Sequence, residues 1–219
     1  MSRFDTLLFD LDGTLTDSAA GILNCFRHSL GIMGIECPED MMQFVGPPLY
    51  DSFGKLCGHD AERTAEAVRH YRERYSAVGL FENEVYGGVT EMLDRLKSAG
   101  LRMAVATSKP EVFAVRILDK FGLSGYFEVI GGGDLEGKRD RKDKVIEYVL
   151  GRLGITDRSG VLMIGDRRQD ADGAHALGLP CMYALWGYGS REEAHDAAAE
   201  YLAGSPQEAA EMIFSDRQH

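Results

Sequence analysis

Thr6-Leu7-Leu8-Phe9-Asp10-Leu11-Asp12-Gly13-Thr14-Leu15 decides the reading of this chain. A short apolar run, read as a buried strand, ends in two aspartates two residues apart, and a Gly-Thr turn follows. Residues i and i+2 of a strand point to one face, so Asp10 and Asp12 start on the same side of a strand end. Gly13 then lets the chain turn sharply. Paired carboxylates placed there suit a hard metal ion and nucleophilic or acid–base chemistry. An Asp-rich turn with no function has the same composition, so the stretch needs support from the rest of the chain.

Downstream, residues from about 16 to 84 read as helices with no strand. A helix over Ser18–Met33 carries Ile22, Leu23, Phe26, Leu30 and Met33 at helical spacing, with Asp17 or Ser18 as its cap. Gly46-Pro47-Pro48 breaks the chain. Ala61–Val78 reads as a longer helix with Ala65, Val68, Tyr75 and Val78 inward and its charged residues on a solvated face. Tyr86-Gly87-Gly88 reads as a hinge.

Beyond it the pattern changes to helix followed by short apolar strand, with Gly at most of the helix ends. The strands are expected at Leu101–Ala106, Phe127–Ile130, Val161–Ile164 and Cys181–Leu185, and the helices at Val89–Ala99, Pro110–Phe121, Lys142–Leu153 and Asp170–Leu177. The tail after Gly187 reads as mostly helical. Apolar strands alternating with helices imply a doubly wound, Rossmann-like α/β fold. About five parallel strands (residues 1–15 and 87–219) are then interrupted by an all-helical insert (residues 16–86) suited to act as a lid.

Ligands of such sheets bind beyond the carboxyl ends of the strands. Three strand ends deliver polar groups there: Asp10 and Asp12; Thr107, Ser108 and Lys109; and Asp166 with Asp170. Thr107, Ser108 or Asp170 could equally be ordinary helix caps. The charged run Gly137–Lys144 contains one unusual lysine. In a helix starting near Arg141, Lys142 shares a face with Val145, Ile146 and Val149, whereas Lys144 lines up with Glu147 and Tyr148. A lysine on the buried face needs an anionic partner.

The stretch from Phe9 to Ser18 resembles the first motif of the haloacid dehalogenase superfamily in its phosphatase form. Thr107 resembles the second motif, Lys142 the third, and Gly165-Asp166 with Asp170 the fourth, with all four in order. The helical insert resembles the C1 cap, and Phe44–Leu49 resembles a cap loop of members described as phosphoglycolate phosphatases or 5′-nucleotidases. Gly87 stands where many members have proline.

This resemblance implies a Mg²⁺-dependent phosphomonoester hydrolase of phosphoglycolate phosphatase type. Asp10 is then the nucleophile and Asp12 the acid–base. The metal set is Asp10, Asp12 through its main-chain carbonyl, Asp166 and Asp170, the last orienting the shell. Thr107, Ser108, Lys142 and, from the cap, Gly46 hold the substrate, and residues 46–50 with Arg72 or Tyr75 face the leaving group. The alternatives are a 5′-nucleotidase and a β-phosphoglucomutase-like phosphotransferase, although no sugar-specific cap pattern is evident. Asp12 disfavours a dehalogenase. Lys55, the single lysine of the insert, lacks the context of a phosphonatase Schiff base. A non-catalytic protein of this fold would be signalled by loss of Asp10 or Asp12. A sizeable cap favours small molecules over phosphoproteins.

Composition sets outer bounds. Hydrophobic residues make up 44% of 219, enough for a core, and the net charge of −11 argues against a nucleic-acid partner. Cys25, Cys37, Cys57 and Cys181 have neither zinc nor disulfide spacing. No signal-type start and no apolar run of about 20 residues is present, so a soluble cytoplasmic protein is expected. No heptad or clear apolar patch reveals an oligomeric state.

Overall fold

The structure, a computed structural model, describes residues 3–135, 139 and 141–215. Strand β1 (Thr6–Phe9) leads to the two-residue strand β2 (Thr16–Asp17), helices α1 (Ala19–Met33), α2 (Leu49–Leu56) and α3 (Ala61–Ala77), and strand β3 (Glu84–Val85). Then follow α4 (Val89–Ser98), β4 (Arg102–Pro110), α5 (Glu111–Lys120), β5 (Val129–Gly133), α6 (Lys142–Leu153), β6 (Val161–Gly165) and α7 (Arg168–His175). The described chain closes with β7 (Cys181–Ala184), α8 (Arg191–Asp196), β8 (Tyr201–Ala203) and α9 (Pro206–Ser215). Contacts divide it into two compact units, residues 1–16 with 85–219, and residues 17–84. The chain passes between them inside β2 and β3, which pair as a separate two-stranded ribbon.

The core unit is a six-stranded sheet in the order β5-β4-β1-β6-β7-β8, with every pair parallel. This is the doubly wound order in which the winding direction reverses between β1 and β6, and the crevice beyond those two strands is where such folds bind ligands. On one face Leu8, Ala104, Ala106, Val161 and Met163 pack against Val145, Ile146 and Val149 of α6 and Ala171 and Ala174 of α7. Alternate residues of the same strands, Leu7, Phe9, Val105 and Ile164, are also fully buried, as strands covered on both faces require.

The doubly wound α/β architecture agrees with the sequence reading, and the strand count is one higher. The sixth strand, β8, lies in the tail expected to be helical, and three residues are too few to show a period. Two further boundaries move. The strand expected over 127–130 runs over 129–133 and includes Gly131-Gly132-Gly133. These glycines allow close approach: a Cβ on Gly131 would lie 2.3 Å from Val149 Cγ2, and one on Gly132 2.5 Å from the Lys109 carbonyl. Strand β4, expected to stop at Ala106, continues to Pro110 with an irregular register between Thr107 and Pro110.

The inserted unit has its own core. Phe26 of α1 stacks on Phe53 of α2 with ring centroids 4.6 Å apart, Tyr71 of α3 meets both edge-on, and Tyr75 stacks on Tyr71. The inward stripe of α3 is Thr64, Ala67, Val68, Tyr71 and Tyr75. It therefore corrects the expected one: Ala65 and Val78 are exposed, because the buried face follows the aromatic ladder at i, i+4, i+7 and i+11 from Thr64. Arg74 also departs from the solvated face, pairing through both terminal nitrogens with Glu82 at 2.8 and 2.9 Å. Phe53 is fully buried. Phe53→Ala should therefore destabilise this unit by about 3–5 kcal/mol. Hydrogen exchange should show protection lost over residues 17–84 and retained in the six-stranded sheet.

Candidate active site

The side chains singled out at the strand ends all belong to the core unit. Asp10 directly follows β1, and its main-chain N–H donates to the Ile164 carbonyl of β6 at 2.9 Å, fixing it at the reversal point. Gly13 takes the expected turn with φ +82°. Asp166 directly follows β6 and is fully buried. Asp170 is not the cap of α7. That helix starts two residues earlier than expected, so Asp170 sits in its first turn, where Oδ2 accepts from the Arg167 N–H at 3.0 Å. One oxygen each from Asp10, Asp166 and Asp170 lie within 4.8 Å of one another.

Lys142 begins α6 and is buried, with its aliphatic stem against Gly173 of α7. Its Nζ lies 2.9 Å from Asp10 Oδ1 and 2.6 Å from Asp170 Oδ1, and donates to the Ala106 carbonyl at 3.0 Å. One ammonium thus ties the end of β1 to β4 and to the first turn of α7. Burial alone would lower the Lys142 pKa, but Asp10 and Asp170 together outweigh it and hold the group well above the ordinary lysine range. The carboxylates carry the opposite strain. Burial, then the charges of Asp170 and Asp10, push Asp166 well above the usual carboxylate range. Burial pushes Asp170 up to about 6, with Lys142 pulling down and Asp10 adding to the rise. One lysine does not offset three carboxylates. The oxygen-only set therefore fits a hard divalent cation such as Mg²⁺, whose charge would relieve this repulsion.

Thr107 is buried at the irregular end of β4, next to the carbonyl that Lys142 grips, and its Oγ1 accepts from the Lys109 N–H at 3.2 Å. Helix α5 has Pro110 as its cap residue and no side-chain cap bond, so neither Thr107 nor Ser108 caps it. Ser108 is exposed. Asp12 Oδ2 lies 2.7 Å from Lys109 Nζ, whose side chain is 6% exposed. The sequence places Lys109 among the polar groups at this strand end without assigning it a partner, and the i, i+2 rule applied to Asp10 and Asp12 puts it on the face of Thr107. Of the charged run before α6, residues 136–138 and 140 lie outside the described residues.

In the inserted unit Gly46 is exposed, with φ +106°. Tyr75 is buried in the aromatic core, whereas Tyr50 is exposed with the Arg72 guanidinium 5.8 Å from its ring centre. All four cysteines are free, with Cys25, Cys57 and Cys181 buried and Cys37 exposed. Among the described residues no helix is long and apolar enough to cross a membrane.

Comparison with known proteins agrees with this geometry. The haloacid dehalogenase-like hydrolase family matches residues 7–184. A 5′-nucleotidase of Pseudomonas aeruginosa is 42% identical over 193 residues, 87% of each chain. A phosphoglycolate phosphatase of Aquifex aeolicus is 33% identical over 184 residues, 83% of this chain and 85% of that one. The crystal structure of a predicted phosphatase from Clostridium acetobutylicum superposes with a TM-score of 0.91 at 42% identity, covering 97% of this chain and 99% of its own. The chain belongs to the haloacid dehalogenase-like hydrolases, as an enzyme of their phosphatase kind.

Proposed function

We propose that the chain hydrolyses small phosphorylated metabolites through a phosphoryl group carried on Asp10, with Mg²⁺ as cofactor. The observation that carries this reading is the buried Lys142 ammonium shared by Asp10 and Asp170 inside the carboxylate cluster where β1 meets β6. Asp10, Asp166 and the main-chain carbonyl of Asp12 would hold the ion, with Asp170 behind them. When bound, it supplies the positive charge that lets a phosphate dianion approach the carboxylates.

A carboxylate oxygen of Asp10 attacks phosphorus, and the bond from phosphorus to the ester oxygen breaks. Asp12 gives its proton to the leaving alkoxide. It then takes one from the water that attacks the phosphoryl-Asp10, releasing phosphate and free Asp10. Lys142 and Thr107 hold the phosphoryl oxygens as charge moves onto them. The substrate is a small phosphate monoester, and the enzyme works in the cytoplasm. The higher identity to the 5′-nucleotidase favours nucleoside monophosphates over phosphoglycolate as the substrate.

Hydrolysis of p-nitrophenyl phosphate should require Mg²⁺ and vanish with a chelator. Activity that survives chelation, or halide released from a haloacid in its place, contradicts the proposal. A panel of nucleoside monophosphates, phosphoglycolate and sugar phosphates ranks the substrates by kcat/KM. The pH dependence of metal binding is a separate expectation. Asp166 and Asp170 must lose their protons to serve the ion, and both hold them more tightly than ordinary carboxylates. Mg²⁺ affinity should therefore rise as pH increases through about 6, with protons released on binding. Calorimetry in two buffers of different ionisation enthalpy measures both, and an affinity flat between pH 5 and 7 would contradict the assignment.

A further inference from the structure

Asp166 is fully buried, and two neutral donors hold its two oxygens, one each. The Tyr188 main-chain N–H donates to Oδ2 at 2.8 Å, and Thr14 Oγ1 donates to Oδ1 at 3.2 Å. Both donors are joined to one side chain. Trp186, the single tryptophan of the chain, donates its indole N–H to the Thr14 carbonyl at 3.0 Å and lies two residues before Tyr188. The loop also presses on the site where a side chain would not fit. A Cβ on Gly187 would sit 2.2 Å from the Gly13 carbonyl and 2.4 Å from Asp166 Cβ. One on Gly189 would sit 2.1 Å from the Asp166 carbonyl and 2.0 Å from the Tyr183 hydroxyl.

We infer that the segment Trp186-Gly187-Tyr188-Gly189 is a positioning clamp for Asp166, and that Trp186 anchors it to the loop carrying Thr14. A carboxylate with one donor per oxygen cannot turn about its terminal bond without breaking both hydrogen bonds. Its plane is therefore fixed before a cation arrives, with one of its oxygens within 4.8 Å of an oxygen of Asp10 and of Asp170. Because both donors are neutral, neither cancels the negative charge that the ionised carboxylate offers the ion, as a lysine or arginine in either place would. Groups that orient a metal ligand from behind typically account for 10–100-fold in metal affinity.

The inference rests on the metal reading above, and direct binding separates the two. Mg²⁺ is titrated calorimetrically at fixed pH into the wild-type chain and into Trp186→Phe, which keeps an aromatic ring and loses the N–H. Thr14→Val, which loses the hydroxyl, and Thr14→Ser, which keeps it, complete the set. The clamp predicts binding about ten-fold weaker for Trp186→Phe and for Thr14→Val. Thr14→Ser should bind within about two-fold of wild type, and the metal-free melting temperatures should be close to one another. Should Trp186→Phe fail to fold, the Thr14 pair carries the test: equal affinity of its two variants overturns the clamp. A Trp186→Phe affinity within two-fold of a wild type that does bind Mg²⁺ overturns the inference alone. A wild type that binds no Mg²⁺ overturns the metal reading and the inference together.

Discussion

Asp10→Asn should lower phosphomonoester turnover by about 10⁴-fold or more, while making the metal-free protein more stable. The activity loss follows because an amide oxygen cannot replace the attacking carboxylate, although asparagine fills the same volume. The stability gain follows from the charge count. Asp10 and Asp170 share one ammonium with Asp166 buried beside them, and Asp10 raises the pKa of each of the other two. Removing its charge relieves both. Lys142 keeps Asp170 as a partner at 2.6 Å, so no buried cation is orphaned. Thermal melts in chelator, paired with p-nitrophenyl phosphate assays in Mg²⁺, give both quantities. A variant that melts lower than wild type, or retains more than about 1% of its activity, would contradict the reading.

Lys142→Met should strongly destabilise the core unit. Methionine replaces much of the stem that packs on Gly173, so the change isolates the ammonium. Without it, Asp10 and Asp170 lose their shared cation and Asp166 remains buried beside them. Breaking a buried pair from one side costs about 3–5 kcal/mol, which in a protein of this size corresponds to roughly 10 °C in Tm. Mg²⁺ should restore part of that loss by supplying charge to the same carboxylates, though not the activity, because the phosphoryl oxygens still lack Lys142. Lys144→Met, two residues away on an exposed ion pair with Glu147, should shift Tm by little. Equal effects of the two substitutions, measured by thermal melts with and without Mg²⁺, would show that the buried position of Lys142 is irrelevant.

The contrast between these lysines marks what the sequence reveals. Lys142 is legible because its phase on α6 matches Val145, Ile146 and Val149, and a buried lysine must find carboxylates. Asp10, Asp12 and Asp166 are legible because an apolar run ends at each group. Lys109 is legible as a polar group after a strand, but its partner is not, because Thr107–Lys109 look like a loop. Only the continuation of β4 through an irregular register gives the position a facing direction and a partner in Asp12. The glycines of β5 misled for a related reason: their function is to let backbone and Val149 approach, and a missing side chain leaves no pattern. The clamp on Asp166 is least visible of all. One of its donors is a main-chain N–H, and every residue but proline has one. The inward stripe of α3 was misphased because Thr64 and Tyr71 are not obviously apolar, yet both are buried.

The central claim is that Asp10 carries the phosphoryl group, and chemical trapping tests it most directly. An acyl phosphate is reduced by borohydride to an alcohol, which would convert Asp10 into homoserine. The enzyme is mixed with p-nitrophenyl phosphate and Mg²⁺, quenched within one turnover, treated with borohydride and digested. Mass spectrometry of the peptide that spans Asp10 should show homoserine at that position, in an amount that falls as substrate is exhausted and is absent from Asp10→Asn. Turnover at the full rate with Asp10 unreduced, or the reduced residue found elsewhere, would contradict the account.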